Sequence, residues 1–264
     1  IWHPELESVS LDEANRELHR SPETHADDKP HEAQMVSVVN PDLTHDLFQA
    51  AGENPRYANV RLGAVVEHIN QGEQTQFAAA TFQLPDGHKR RKPTYKGTLV
   101  ISFRGTDDSL IGWKEDFNLS NGIVPSHKRA LEYLEKEGRY IQSMLRIGGH
   151  SKGGNLAMYA ALQCEEEIQE KILTVYDNDG PGFPEGFFYV RDTEKILKKV
   201  TRIIPEASVI GMLLTHQKEP VIIGSTQKGI LQHDAFTWEI MGPSFIRKEG
   251  LTRKAETMDL RLHK

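Results

Sequence analysis

Hydrophobic and polar positions follow two rhythms in this chain, and the rhythm changes just past residue 103. Before that point the pattern is strand-like. Val60–Ile69 alternates in part, Gln76–Leu84 is apolar and rich in strand formers, and Thr98–Phe103 reads as a buried strand. Gly72 and Pro85-Asp86-Gly87 punctuate these segments as turns, and a short helix is expected over Leu43–Ala51. Beyond residue 103, helices and strands alternate. Ala130, Leu131 and Leu134 form a stripe that predicts a helix over Ser126–Glu137. A strand follows at Met144–Gly148, then a helix at Gly153–Ile168 with Leu156, Ala157, Ala160 and Ala161 on one face. Strands are expected at Ile172–Tyr176, Val200–Ile204 and Pro220–Gly224, with a short helix at Glu194–Lys199. This alternation implies an α/β fold: a mostly parallel sheet covered by helices on both faces, with the antiparallel N-terminal strands forming one side of it.

The ends of the chain lack this patterning. Residues 1–40 are polar, acidic and His-rich, and read as an arm outside the core with a short helix at Asp12–His19. The principal domain is expected over residues 41–245, with a polar C-terminal extension over 246–264. A hydrophobic fraction of 38% in 264 residues suffices for one large core. No apolar run approaches the roughly 18 residues that a membrane span needs. The net charge of −6 disfavours a nucleic-acid partner, and the basic run His88–Lys92 reads as a solvated hairpin tip. Cys164, the one cysteine, has no partner for an internal disulfide and reads as a core residue, so the cytoplasm is the expected location. The His and Asp residues of the first 40 positions match no metal-ligand spacing, and no Gly-rich phosphate loop is present, so neither metal nor cofactor is expected.

Chemistry enters at Gly149-His150-Ser151-Lys152-Gly153, which fits G-x-S-x-G between a strand and a helix. A serine hydroxyl is a weak nucleophile that must be presented to a base. A sharp strand-to-helix turn presents it, and side chains at Gly149 and Gly153 would clash in so tight a turn. The new helix aims its N-terminal donors and positive dipole end at a developing oxyanion, with the backbone N–H of Lys152 as one donor. A second donor is expected from Thr106, in Phe103-Arg104-Gly105-Thr106 at the end of a neighbouring strand.

Together these two strings resemble the class 3 lipases. Phe103–Asn118, Gly148–Ala161, Asp179-Gly180-Pro181-Gly182-Phe183 and Gln232-His233-Asp234 more closely resemble a bacterial branch of lipase-like proteins known as a domain of unknown function. The resemblance covers roughly residues 77 to 238. It implies an α/β-hydrolase-type fold, mostly parallel and flanked by helices, and ester hydrolysis, but not a substrate; the expected partner is a small-molecule or lipid-like ester.

In that fold the triad runs Ser, acid, His. After Ser151 the histidines are His216, His233 and His263; His263 lies in the tail and His216 follows an expected helix end. His233 follows the last core-like strand, where the fold places its base. For the acid, the resemblance implies an Asp soon after the second strand beyond the nucleophile, but Ser208 stands there. Asp179, just past the Ile172–Tyr176 strand, is favoured over Glu206 at the later strand end. Asp177-Asn178-Asp179-Gly180 also looks like the start of a calcium loop, but Phe188 occupies the twelfth position, where the Glu is required. Residues 107–125 correspond to the lid of the lipases; Trp113 and Phe117 equally suit a short helix packed on the core. Two other activities remain open: an acyltransferase or thioesterase using the same nucleophile, and a catalytically degenerate hydrolase fold kept for binding.

Overall fold

Strands β1 (Ser8–Ser10), β2 (Arg61–Asn70), β3 (Thr75–Leu84) and β4 (Thr98–Phe103) pair antiparallel. From β4 the sheet continues in parallel through β5 (Met144–His150), β6 (Ile172–Asn178), β7 (Val200–Pro205) and β8 (Val221–Ile223). All eight lie in chain order in one sheet, and β9 (Ile240–Met241) with β10 (Ser244–Phe245) forms a separate hairpin. This computed structural model describes residues 8–20, 41–70, 72, 75–85, 98–106, 122–139, 143–189, 193–253, 255 and 257. The basic run 88–92, most of the candidate lid (107–121), and His263 lie outside them.

The helices are α1 (Leu11–Arg20), α2 (Pro41–Glu53), α3 (Pro125–Arg139), α4 (Lys152–Gln163), α5 (Glu166–Lys171) and α6 (Glu194–Leu197). Because the parallel strands never reverse order, right-handed crossovers carry α3, α4, α5 and α6 over the same face. Accordingly α3 packs on α4, and α4 lies across β4, β5 and β6. Leu99, Ile101 and Phe103 of β4, Leu145 and Ile147 of β5 and Val175 of β6 are buried in one cluster with Ala130, Leu134, Leu156, Ala157, Ala160 and Ala161 of the helices. Three alanines let α4 approach the sheet closely; cutting Leu134 or Ile101 back to Ala would cost about 2–5 kcal/mol. On the alternate positions, Val100, Ser102, Arg146, Thr174 and Tyr176 are only partly buried. Arg146 Nη1 donates there to Thr174 Oγ1 at 2.9 Å and Tyr176 Oη at 3.3 Å. The expectation of helices on both faces is therefore revised: among the described residues, the crossover helices cover one.

Two further differences have local causes. The helix expected over Gly153–Ile168 is two helices, because Cys164 (ψ 165°) and Glu165 (ψ 147°) are extended between α4 and α5. Within the stretch read as an arm, residues 8–20 add a strand and a helix to the sheet edge. Leu11 is buried there and its N–H donates to Val60 O at 2.9 Å. Ser10 and Glu13 form a capping box, in which Ser10 Oγ accepts from Glu13 N and Glu13 Oε2 accepts from Ser10 N. The S-x-x-E signature was visible in the chain. No helix among the described residues is long and apolar enough to cross a membrane.

Candidate active site

Ser151 occupies the single residue between β5 and α4, with φ 57° and ψ −132°. A non-glycine residue in that region is strained and persists only where its surroundings hold it. Here its N–H donates to Asn178 O of β6 at 3.0 Å, and its carbonyl accepts from Gly154 N at 2.9 Å. The turn is also tightly enclosed. A Cβ on Gly153 would collide with the Phe103 carbonyl oxygen and lie 3.0 Å from the Arg104 carbonyl carbon, while one on Gly149 would collide with Gly153 itself. A Cβ on Gly105 would sit 2.8 Å from His150 O and 3.3 Å from Ser151 Cβ, so the loop after β4 rests directly on the turn. Thr106 therefore follows a residue in contact with Ser151. Lys152 opens α4 with its side chain almost fully buried, and its Nζ donates to Gln76 O of β3 at 3.1 Å.

Asp179 follows β6 with φ 53° and is wholly buried. Its Oδ2 lies 2.7 Å from His233 Nδ1. A carboxylate only accepts, so Nδ1 carries the proton and Nε2 of the neutral ring presents a lone pair. Asp179 Oδ1 accepts from Ser208 Oγ at 2.5 Å, Ser208 Oγ in turn accepts from Gly211 N at 3.0 Å, and Asp179 N donates to Ile203 O at 2.8 Å. Both carboxylate oxygens and the backbone of Asp179 are thus held. Glu206 has its carboxylate 3.9 Å from Lys248 Nζ. Ser208, at the position where an acid was looked for, is the residue that donates to Asp179.

Asp177, one pair earlier on β6, is also buried; its Oδ1 accepts from Gly180 N at 3.0 Å and its Oδ2 lies 3.9 Å from Arg202 Nε. Burial pushes its carboxyl up to about 7, against the opposing pull of Arg202 and the Gly180 N–H. A second buried network ties the loop after Asp179 to α4. His127 Nδ1 accepts from Val124 N, so its Nε2–H donates to Asn155 Oδ1 at 2.6 Å, and Asn155 Nδ2 donates to Pro181 O and Gly182 O.

His233 ends a 3-10 turn, Gly229–His233, and is 8% exposed. Side chains hold the main chain of this turn. His150 Nε2 donates to His233 O at 2.7 Å, and Trp238 Nε1 donates to Gln232 O at 2.9 Å. The Gln232 side chain accepts from Ala207 N and donates to Gln227 O, both at 2.8 Å. The His150 and His233 rings lie 4.5 Å apart, with Trp238 edge-on to His150 at 5.9 Å. Burial, with the neighbouring His233 acting in the same direction, lowers His150 to about 4, against Asp179 and its own hydrogen bond.

The structure brings Ser151, Lys152, Gly149, Gly153 and the Thr106 loop together, and pairs His233 with Asp179. Sequence reasoning assigned no role to His150, Ser208, Gln232 or Trp238, although His150 is the variable position inside G-x-S-x-G, Ser208 stands at the expected acid position and Gln232 precedes His233 in Gln232-His233-Asp234. His216 follows a three-residue 3-10 turn, Ile210–Met212, rather than a helix end, and contacts the Gly182 loop. Burial pushes the Cys164 thiol up to about 12, which keeps it protonated and unreactive at neutral pH. No group of three or more His, Cys, Asp or Glu residues suited to a metal occurs among the described residues.

The mixed sheet, the strand–serine–helix turn and the His–Asp pair at the strand ends define an α/β-hydrolase-type fold. The chain belongs to the Mbeg1-like family, whose profile matches residues 51–264. No curated protein matches the sequence. Among solved structures, the crystal structure of M37 lipase is similar at 17% identity and a TM-score of 0.43, over 66% of this chain and 62% of the lipase. The match thus spans less than two thirds of that lipase's own length.

Proposed function

We propose that this protein is a serine hydrolase of carboxylic esters, with Ser151 as nucleophile, His233 as base and Asp179 as the acid that orients it. One observation carries the reading: Asp179 Oδ2 lies 2.7 Å from His233 Nδ1, with Asp179 Oδ1 occupied by Ser208. That pairing fixes the tautomer whose Nε2 accepts a proton, and stabilises the imidazolium once it forms. His233 takes the Ser151 proton as Oγ attacks the acyl carbon. The backbone N–H groups of Thr106 and Lys152 hold the oxyanion. His233 then protonates the departing alcohol, and a water attacks the acyl-enzyme with His233 as base again. Residues 41–245 form the catalytic domain in this reading. The substrate is a small or lipid-like ester.

The test is hydrolysis of p-nitrophenyl esters of graded acyl length by wild type and Ser151→Ala, with and without added alcohol or thiol acceptors. Turnover lost in Ser151→Ala, with free acid as the product, supports the reading. Turnover that survives the substitution removes it. Acyl transfer to the acceptors at the expense of free acid makes the protein a transferase.

A further inference from the structure

His150 is adjacent to Ser151 in the chain and to His233 in space, and its side chain links the two. Its ring ends β5, so the rigid sheet places it. The turn that carries His233 has no strand or long helix of its own to hold it. We propose that His150 is the positioning residue of the base, setting His233 relative to Ser151 through its Nε2–H bond to the His233 carbonyl and its ring packed against the His233 ring. This rests on the reading of Ser151 and His233 as a catalytic pair.

The chemistry of the contact favours this role. A carbonyl only accepts, so His150 must carry its proton on Nε2. The bond tethers the main chain of His233 and takes up neither of its ring nitrogens, of which Nδ1 is bonded to Asp179. The titratable groups facing His150 are His233 and Asp179. A charged His150 would repel the imidazolium that forms on His233 during attack, and burial keeps His150 neutral at working pH. Trp238 lies edge-on to the His150 ring and donates to the carbonyl of Gln232, so consecutive carbonyls of the turn are held by two neighbouring rings.

The experiment is the second-order rate of fluorophosphonate labelling at Ser151 in the full chain, for wild type, His150→Phe and His150→Gln, alongside each protein's melting temperature. Phe keeps a ring without the donor; Gln keeps an amide donor of similar reach without the ring. The expected result is a tenfold or greater loss in His150→Phe, with a smaller loss in His150→Gln, out of step with their melting temperatures. Wild-type labelling with an equal rate in His150→Phe overturns the proposal and leaves the catalytic reading standing. Equal losses in the two variants that follow their melting temperatures also overturn it, since the role is then structural. No labelling of folded wild type removes the catalytic reading and this proposal with it. Imidazole nitrogen NMR of the wild type serves if His150→Phe does not fold: His150 must show the Nε2–H tautomer at neutral pH, and the Nδ1–H tautomer overturns the proposal.

Discussion

The turn that carries Ser151 and the turn that carries His233 are held by different means. The serine turn is built by regular structure. A strand runs into it, a twelve-residue helix leaves it, and its close contacts are backbone against backbone, with Gly149, Gly153 and Gly105 admitting them. The histidine turn is irregular and is held by side chains reaching its backbone: His150 to His233 O, Trp238 to Gln232 O, and Gln232 itself to Ala207 and Gln227. The first arrangement resists displacement because any shift drives main-chain atoms into one another. The second depends on a few hydrogen bonds, each worth about 0.5–1.5 kcal/mol net. One side of the site is therefore rigid, and the other can be tuned by single substitutions.

That contrast orders the expected effects. Ser151→Ala should lower ester turnover by about a millionfold without unfolding the protein. Asp179→Asn should come next, at about a thousand- to ten-thousandfold in kcat, because it disfavours the required tautomer of His233. Glu206→Gln should stay within about threefold of wild type, since its ion pair with Lys248 is long and partly exposed. Gly153→Ala tests the rigid side. With no side chain able to yield to the new methyl, it should destabilise the fold by about 1–3 kcal/mol or more in chemical denaturation, and reduce activity through loss of folded protein. Trp238→Phe tests the other side: it keeps ring area and loses the donor to Gln232 O, so it should cost about 1 kcal/mol in stability and up to about tenfold in turnover. Reversal of those last two, with the glycine tolerant in stability and the tryptophan critical to it, would break the comparison.

The smallest effect is on pH dependence. His150 is lowered from 6.5 to about 4 in the folded chain. Between those values the unfolded chain binds a proton that the folded one refuses, so stability contributed by this ring is present above pH 6.5 and falls as pH drops toward 4. Between pH 7.5 and 5 the loss is on the order of 2 kcal/mol, and His150→Phe should remove that part of the slope in urea denaturation. Asp177 works in the opposite sense. Its carboxyl, raised from 3.8 to about 7, favours the folded state at low pH and loses that contribution as pH rises through 7. The His150 slope must therefore be read as a difference between variant and wild type.

The same contrast explains what the sequence revealed. Strands β2 through β8 were legible because their apolar runs must fill a sheet core, and the serine turn because its glycines are required at fixed spacing. The one-sided placement of the crossover helices was not legible, since it follows from strand order, which no local pattern encodes. β1 was hidden because three polar-flanked residues at a sheet edge carry no periodic signal. Asp179 and Glu206 remained alternatives in the sequence because each follows a strand end, and only the packing of the β6 and β7 ends brings Ser208 and His233 to Asp179. The partners of the histidine turn were invisible because their contacts span up to 83 residues and end on backbone atoms, which impose no residue pattern.

The most direct test of the central claim is mass-spectrometric mapping of the fluorophosphonate adduct on the folded protein. The account predicts one adduct, on the peptide containing Ser151, lost in His233→Ala, strongly reduced in Asp179→Ala and retained in Glu206→Ala. An unlabelled folded protein, or an adduct on another serine that persists in Ser151→Ala, would contradict it.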